Sequence, residues 1–374
     1  MPRHYLDHAS TTPLRPEAAD AVRSWLELAA GDPARVHHEG RAVREAVETA
    51  REQVASLLRV RPRQVVFTSG ATEAVQTAVW GATWARPGGA VCCAGVEHSA
   101  VRDASARLAP VVELPVDALG RIDPDGVDAA LGGGRAVALV HCQWANHEVG
   151  TLQPVADVAE RCRRGGVLLH ADAAAACGHV DLALEDGPDL VSVSAHKLGG
   201  PPGVGALVLR RGLRLEPLLV GGQQERARRA GMENVPGIVG FGAAAAALAT
   251  GALHAEAAAA RLHTERLAEA VLEVPGTLQI GDPSGRVPHI VCFGVGGVEA
   301  EPVLLGLDRA GIAAHSGSAC ASESLEPSPV LAAMGADPSH SLRLSVGWST
   351  TGRDVQAFAA AFGRVVGELR ALRG

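Results

Sequence analysis

The sequence predicts an α/β fold, with a large domain built on a mostly parallel sheet and a smaller α+β domain after it. From about Arg15 to Arg210, short apolar strands alternate with helices, which is typical of a parallel sheet covered by helices. After Pro275 the chain changes to short strands between fewer helices. A chain of 374 residues can hold two or three domains. We therefore predict a large domain over residues 15–250 and a small domain formed by residues 1–14 and 251–374.

The single elements follow from hydrophobic periodicity in chain order. A short strand and turn precede a first helix with Pro16 near its start, and a long amphipathic helix covers about Glu39 to Leu58. Buried strands are predicted near residues 65–68, 90–94, 136–142, 167–171 and 190–194. After a polar loop over residues 221–236 we expect one long helix to about Val274, then strands near Leu278, Ile290 and residues 342–346, with helices at 301–310 and from about Val355.

Composition excludes several classes of function. The net charge is −7 and no basic cluster of the kind that follows nucleic acid is present, so we expect no direct nucleic-acid partner. No apolar run is long enough to cross a bilayer, and the stretch from Gly240 to Ala260 is interrupted by polar residues. The N-terminus has no apolar signal region. These features predict a cytoplasmic protein that does not act on a membrane.

The cysteines favour neither disulfides nor a metal centre. Their number is odd and their spacing matches no zinc motif, so we expect no metal. Cys320 differs from the others because it lies in a loop of small polar residues, from His315 to Ser328, where a thiol would be accessible and reactive. The other six lie within or beside predicted strands and helices and should be small buried hydrophobic residues: Cys92, Cys93, Cys142, Cys162, Cys177 and Cys292.

Lys197 is the only lysine among the 34 lysine and arginine residues of the chain. Arginine can replace lysine at most solvated positions, but a guanidinium cannot lose its proton and form an imine with a carbonyl group. Lys197 follows a predicted buried strand and stands among hydrogen-bonding residues and glycines that allow a ligand to approach closely. The lysine is therefore a candidate for covalent chemistry, and a chance surface lysine is the alternative.

Other polar residues also follow predicted strands. The turn from Ser69 to Thr72 joins a strand to a helix start, where free backbone N–H groups can bind an anion. His98 follows the next strand, although a lone histidine is more often structural. Asp172 ends a later strand and can pair with a protonated ring nitrogen or simply cap a turn. Because the carboxyl ends of parallel strands meet at one edge, these residues and Lys197 should share a site.

The residue patterns of these segments resemble those of the cysteine desulfurases, which are fold-type I enzymes that use pyridoxal phosphate. Ser194-x-His196-Lys197 followed by Gly-Pro-x-Gly-x-Gly is similar to their cofactor-lysine segment. The resemblance extends from Tyr5 to Thr351 in family order. The further motifs are Tyr-Leu-Asp-x-Ala-x-Thr-Thr-Pro from Tyr5, Thr-Ser-Gly-Ala-Thr-Glu from Thr68, Glu-His-x-x-Val from Glu97, the cysteine loop from His315, and Arg-x-Ser-x-Gly from Arg343.

The resemblance implies a fold-type I sheet of seven strands and a bound pyridoxal phosphate. Lys197 would hold the cofactor as a Schiff base, and His98 would stack on its ring and exchange protons with the substrate. Asp172 would pair with the pyridine nitrogen. The remaining cofactor-binding residues implied by the resemblance are Ala71, Thr72, His147, Ser194 and His196.

The resemblance also implies the reaction. L-Cysteine would lose its sulfur to the Cys320 thiolate, which leaves L-alanine and a persulfide, while Lys197 moves the Cα proton. Arg343 would clamp the substrate carboxylate, and Asp32, where the family usually has Asn, would also contact the substrate. The persulfide would pass to an acceptor protein or a small thiol, in iron–sulfur cluster assembly or in tRNA or cofactor thiolation. The family's version of the 221–236 loop crosses a homodimer interface.

Three departures leave alternatives open. The family usually has Asn where His147 stands, Gln where Ala175 stands and Thr where Met232 stands. Each lost polar contact is worth roughly 1 kcal/mol, so cofactor binding should be weaker. One alternative is another fold-type I lyase on a cysteine-like or selenocysteine-like substrate. A second is a non-catalytic or catalytically weakened paralogue that binds partners in a sulfur-transfer assembly.

Overall fold

The computed structural model describes residues 3–28, 31–185, 187–249, 251–316 and 327–372. The predicted alternation of strands and helices is confirmed over the first two thirds of the chain. The strands of these ranges are β1 (His4–Tyr5), β2 (Val65–Thr68), β3 (Ala90–Ala94), β4 (Val111–Leu114), β5 (Val137–His141), β6 (Leu168–Asp172), β7 (Leu190–Ser194), β8 (Gly205–Leu209), β9 (Thr277–Ile280), β10 (Ile290–Val295), β11 (Ile312–Ala313) and β12 (Ser341–Ser345).

The helices begin where the sequence provides start signals, such as Pro16 at the first turn of α1 and Pro124 at that of α5. They are α1 (Pro16–Leu28), α2 (His38–Leu57), α3 (Ala71–Ala85), α4 (Ser99–Leu108), α5 (Pro124–Gly132), α6 (Val155–Gly165), α7 (Gln224–Ala227), α8 (Val235–Ala249), α9 (Ala252–Leu272), α10 (Ala300–Arg309), α11 (Pro329–Ala333) and α12 (Gly352–Ala371).

Seven strands form the large sheet in the order β2-β8-β7-β6-β5-β3-β4. The neighbours from β7 through β6, β5 and β3 to β4 are parallel, whereas β8 is antiparallel to both β7 and β2. The predicted mostly parallel sheet is therefore confirmed. Buried strand residues pack on both faces, with α3 and α4 against one face, and α2, α6 and α8 against the other. This burial on both sides explains why the central strands are almost continuously apolar.

A second, antiparallel sheet has the order β12-β10-β9 and is covered by α9, α10 and α12. The first strand, β1, pairs in parallel with β11, so the N-terminal residues lie beside a segment more than 300 positions away. Asp7 then bridges to Ser345 at the end of β12. The N-terminal segment is in this way held against the second sheet. The domain boundary at residue 250 stays a prediction.

The prediction of one continuous helix to about Val274 is wrong, because two helices occupy that stretch. α8 ends at Ala249 and α9 begins at Ala252, and the axes bend by 79°. Gly251 between them has φ +92°, a left-handed conformation that breaks a helix and that glycine adopts without strain. No single helix of the described ranges is long and apolar enough to cross a membrane, although this bent pair together has the necessary length and composition.

Candidate active site

A cavity of about 530 Å³ lies at the carboxyl ends of the parallel strands of the large sheet. This position agrees with the rule that ligands bind outside the carboxyl ends of such strands. Further lining residues are Ser10 of the N-terminal segment, His315 of the segment after β11 and Arg343 of β12. The predicted site residues brought together here are Ala71, Thr72, His98, His147, Asp172, Ser194, His196, Lys197 and Arg343.

Lys197 lies in the turn that follows β7. Its Nζ donates to the backbone carbonyl oxygens of Ser10, at 2.9 Å, and of Ala9. The carbonyl oxygen of Lys197 is 3.2 Å from Nε2 of His179, so the turn is held from behind as well. The turn is tight because Gly199 has φ +90° and a Cβ there would lie 2.5 Å from the side chain of Arg15. The amine is thus presented to the cavity on a firmly placed backbone.

The start of α3 forms the predicted anion site. Gly70 is the N-cap residue and has no side chain to occupy the first free N–H groups of the helix, which begin at Ala71 and Thr72. The N–H of Ser69 is used differently, because it donates to the Glu73 carboxylate at 2.8 Å. Arg229 pairs with the same carboxylate at 2.9 Å. The residues that carry these free backbone donors line the cavity, and a phosphate is the kind of group that such donors bind.

Asp172 ends β6 at the cavity wall. Its Oδ1 accepts hydrogen bonds from the Ser192 hydroxyl, at 2.9 Å, and from the Ala174 N–H, at 3.0 Å. The bond to Ala174 is the turn cap that we considered as the alternative to ring pairing. Because both bonds fall on one oxygen, Oδ2 remains for a cationic ring nitrogen. The two interpretations of Asp172 are therefore compatible.

His98 and His147 form one wall of the cavity. Their rings meet edge to face, with centroids 4.9 Å apart. Nδ1 of His98 accepts the N–H of Ala100 at 3.1 Å, which leaves the proton on Nε2. Burial lowers the pKa of His98 to about 4 and that of His147 to about 3, so both rings are neutral at ordinary pH. A neutral imidazole can exchange protons with a ligand.

Arg343 reaches the cavity from β12 and is buried. Its Nη2 donates to Asp7, at 2.8 Å, and to the Ser10 hydroxyl, at 2.7 Å, and its Nη1 donates to the carbonyl oxygen of His147 at 2.9 Å. The sequence pattern pointed to Arg343 but not to Asp7 or Ser10 as its partners. Asp7 and Ser10 lie within the motif that begins at Tyr5, but the motif does not show their contact with Arg343, which depends on a strand at the other end of the chain.

Asp32 is not among the residues that line this cavity, so its predicted contact with the substrate stays a prediction. Its Oδ1 accepts the N–H of Ala34 at 2.8 Å, and its Oδ2 is 3.1 Å from Nε of Arg35. Both bonds are local to its own loop, as is usual for an aspartate in a turn. A role for Asp32 in binding substrate receives no support from these contacts.

Two buried carboxyl groups near the cavity were missed in the sequence. Burial raises the pKa of Glu97 to about 8 and that of Glu148 to about 7. Glu97 accepts the Gln143 N–H at 2.7 Å, and Glu148 accepts the Ser328 hydroxyl at 2.6 Å. Each is next to a cavity histidine in the chain, and Oε1 of Glu148 lies 3.6 Å from Nε2 of His147. Glu97 stands in the Glu-His-x-x-Val motif, whereas Glu148 is marked only by its place next to His147.

The cysteine predictions are confirmed for the six residues that the structure describes. All six are free and buried. Burial raises the thiol pKa values to about 11 for Cys92 and to about 12 for Cys162, for example, which keeps the thiols neutral and unreactive. Cys320 lies outside the described residues, so its role as the sulfur acceptor stays a prediction.

Comparison with known proteins identifies the family. A family model for class-V aminotransferases matches residues 4–358. A cysteine desulfurase from Cereibacter sphaeroides is 41% identical over 384 residues, which cover 100% of this chain and 98% of that protein. The chain belongs to the cysteine desulfurases of the class-V aminotransferase family. Enzymes of this family depend on pyridoxal phosphate.

Solved structures agree with this assignment. A NifS-like protein from Rickettsia africae superposes with a TM-score of 0.88 at 26% identity, covering 97% of this chain and 99% of that one. SspA, solved in complex with cysteine, has a TM-score of 0.82 at 26% identity and covers 93% of this chain and 100% of that one. The likeness confirms the predicted α/β fold.

The cavity fits pyridoxal phosphate. The uncapped helix start at Ala71 suits the phosphate, Oδ2 of Asp172 suits the ring nitrogen, and Lys197 has an amine that could form a Schiff base with the cofactor aldehyde. The three departures from the family pattern lie at different positions relative to the cavity. Ala175 lines the cavity without a polar group, whereas Met232 is 65% exposed and is not among the lining residues. His147 still brings a polar ring to the wall.

Proposed function

We propose that the protein is a pyridoxal-phosphate-dependent cysteine desulfurase that converts L-cysteine into L-alanine and a persulfide on Cys320. The observation that carries the proposal is that the only lysine of the chain shares one cavity with Asp172, a free helix start and Arg343. That set can hold a phosphorylated aromatic aldehyde and an amino acid together. Full-length similarity to cysteine desulfurases supports the same activity.

Different residues of the cavity would bind different parts of the cofactor. Ala71, Thr72, Ser194 and His196 would hold the phosphate, and Asp172 would keep the ring nitrogen protonated. When bound, pyridoxal phosphate supplies an electron sink that stabilises negative charge at the Cα of an amino acid. The protein's contribution is to attach and orient that group, and Lys197 is the side chain placed to do so.

Three residues that line the same cavity are proposed to act on the substrate: Arg343, Lys197 and His98. Arg343 is proposed to bind the α-carboxylate of L-cysteine, because a buried guanidinium with unused N–H groups suits a carboxylate. Lys197 is proposed to carry the Cα proton once its amine is released. His98, with its proton on Nε2 and its ring neutral, is proposed to exchange a proton with the substrate thiol.

The sulfur step is balanced with L-cysteine and one protein thiol. The C–S bond of the substrate breaks and an S–S bond forms on Cys320, so L-cysteine and a thiol become L-alanine and a persulfide. The support for Cys320 is its loop of small polar residues in the sequence, since six other cysteines are buried with raised pKa values. A second thiol, on an acceptor protein or a small molecule, then takes the sulfur and restores Cys320.

We also infer a cytoplasmic homodimer. Side chains of two loops expose apolar surface in the single chain, with Val36 85%, Val220 74% and Met232 65% exposed, and a second copy would cover them. The six described cysteines are free, which suits a reducing compartment. Iron–sulfur cluster assembly and thiolation of tRNA or cofactors are the proposed uses of the persulfide.

The deciding experiment measures sulfide and L-alanine from L-cysteine for the parent enzyme and for Cys320→Ser. The parent should release both in equal amounts when a reducing thiol is present. Cys320→Ser should keep the bound cofactor and its absorbance change with L-cysteine, yet lose sulfide release, because C–S cleavage needs the protein thiol. Cys162→Ala, which changes a buried cysteine on α6, is the matched control and should behave like the parent.

A lyase that expels sulfur by elimination would not need Cys320. If Cys320→Ser still forms L-alanine or pyruvate at near the parent rate, the desulfurase mechanism is wrong and the lyase remains. If the parent binds cofactor yet turns over no L-cysteine, the weakened paralogue remains.

A further inference from the structure

Ser10 lies between Lys197 and Arg343 and contacts both. Its backbone carbonyl accepts a hydrogen bond from Nζ of Lys197 at 2.9 Å, and its hydroxyl oxygen accepts one from Nη2 of Arg343 at 2.7 Å. The same hydroxyl donates to Oδ1 of Asp7 at 2.9 Å. Ser10 also lines the cavity. One residue therefore links the amine and the guanidinium that face the ligand.

Arg343 has more N–H groups than its hydrogen bonds use. A guanidinium has five N–H groups. The hydrogen bonds to Asp7, Ser10 and the His147 carbonyl use three of them. Its Nε is buried and has no partner among the described residues. A ligand carboxylate beside Arg343 would satisfy such a buried donor, which otherwise costs free energy.

We propose that Ser10 is a specificity-determining residue that recognises the α-carboxylate of the substrate together with Arg343. Its hydroxyl turns its hydrogen from Asp7 to a carboxylate oxygen, while its backbone carbonyl holds the ammonium group of Lys197. This inference deepens the proposed function and rests on it, because it assumes an α-amino acid as the ligand.

The chemistry of an α-amino acid favours this position. The amine and the carboxylate of such a ligand stand on the same carbon, so their protein partners must lie close together. Ser10 is bonded to one partner of each kind, Lys197 and Arg343. Asp7 cannot play the same part, because its negative charge would repel the ligand's carboxylate. A neutral hydroxyl can donate to the carboxylate without that repulsion.

The experiment compares L-alanine, the proposed product, with ethylamine, which lacks the carboxylate. Each is titrated into the holoenzyme, and the absorbance of the bound cofactor gives its dissociation constant. Ser10→Ala should raise the dissociation constant of L-alanine about tenfold, as expected for loss of a hydrogen bond to a charged group. The constant for ethylamine should change by less than about twofold.

Two variants serve as controls. Thr11→Val removes the neighbouring hydroxyl, which contacts Nδ1 of His196 at 3.1 Å, and should leave the ratio of the two dissociation constants at the parent value. Ser10→Thr keeps a hydroxyl and should hold the L-alanine constant within about threefold of the parent. The absorbance of each purified variant reports how much cofactor it holds.

Two results would overturn the proposal. One is an unchanged affinity of Ser10→Ala for L-alanine, and the other is an equal loss for L-alanine and ethylamine, which would place the effect at Lys197 or in the fold. Failure of the proposed function would look different, because the parent would then release no sulfide or L-alanine from L-cysteine. The titration of L-alanine and ethylamine can still be performed in that case.

Discussion

Two sides of the cavity are built in different ways. The strand-end side consists of Ala71, Thr72, His98, Asp172 and the turn at Lys197, which lie at or within four residues of the end of a strand of one sheet. The N-terminal side consists of Ala9, Ser10 and Arg343, with Asp7 behind them. It is held by side-chain hydrogen bonds between segments 336 positions apart.

Local sequence pattern marks the first side of the cavity more clearly than the second. Backbone pairing places every strand end of the first side at one edge, so local pattern is enough to find it. The second side depends on long-range contacts that leave no periodicity. We expect changes on the strand-end side to affect the cofactor and changes on the N-terminal side to affect the substrate.

Replacement of the lysine should have the largest effect. Lys197→Arg keeps a positive charge but cannot attach the cofactor, so activity should fall about a thousandfold or more. Borohydride reduction of the parent should label Lys197, as found by peptide mapping. A label on the N-terminal amine alone, or no label at all, would show that the assignment of Lys197 is wrong.

Arg343→Lys should affect the substrate and leave the cofactor in place. A lysine keeps the charge but loses the fork that binds both carboxylate oxygens, so kcat/KM for L-cysteine should fall about a hundredfold. Cofactor content, measured by absorbance, should match the parent. A variant that instead loses its cofactor would break the division between the two sides.

Ala175→Gln should strengthen cofactor binding on the strand-end side. Ala175 lines the cavity without a polar group, and one regained hydrogen bond is expected to lower the cofactor dissociation constant by up to about tenfold. Met232 is exposed and lies outside the cavity lining, so Met232→Thr tests a contact with the cofactor of the partner subunit. In this variant the cofactor dissociation constant should fall only in the dimer. Unchanged cofactor affinity in both variants would mean that the pocket compensates elsewhere.

His147→Asn should have the smallest effect, on stability at acid pH. Burial lowers the pKa of His147 to about 3, well below its ordinary value of 6.5, so the unfolded chain gains a proton at a pH where the folded chain does not. This histidine therefore destabilises the fold as the pH falls from 6.5 towards 3. Thermal unfolding measured over that range should show a drop in Tm that is smaller for His147→Asn by a few degrees, roughly. An equal drop in both proteins would show that His147 does not titrate as described.

Several features of the fold and site follow from local sequence alone. Strand and helix alternation predicted the parallel sheet, and residues after strands predicted the positions of His98, Asp172 and Lys197 at its edge. Lys197 was visible because arginine cannot perform its chemistry. These predictions succeed because the features depend on near neighbours in the chain, through hydrophobic period and backbone pairing.

Other features became evident from the three-dimensional structure. It divided the predicted long helix at Gly251, kept the contacts of Asp32 within its own loop, and brought Asp7 and Ser10 to Arg343. The physical reason is the same for the last two. A hydrogen bond between distant segments is set by the packing of β1 on β11 and of the N-terminal turn on β12. No spacing of residues in a single stretch encodes that contact.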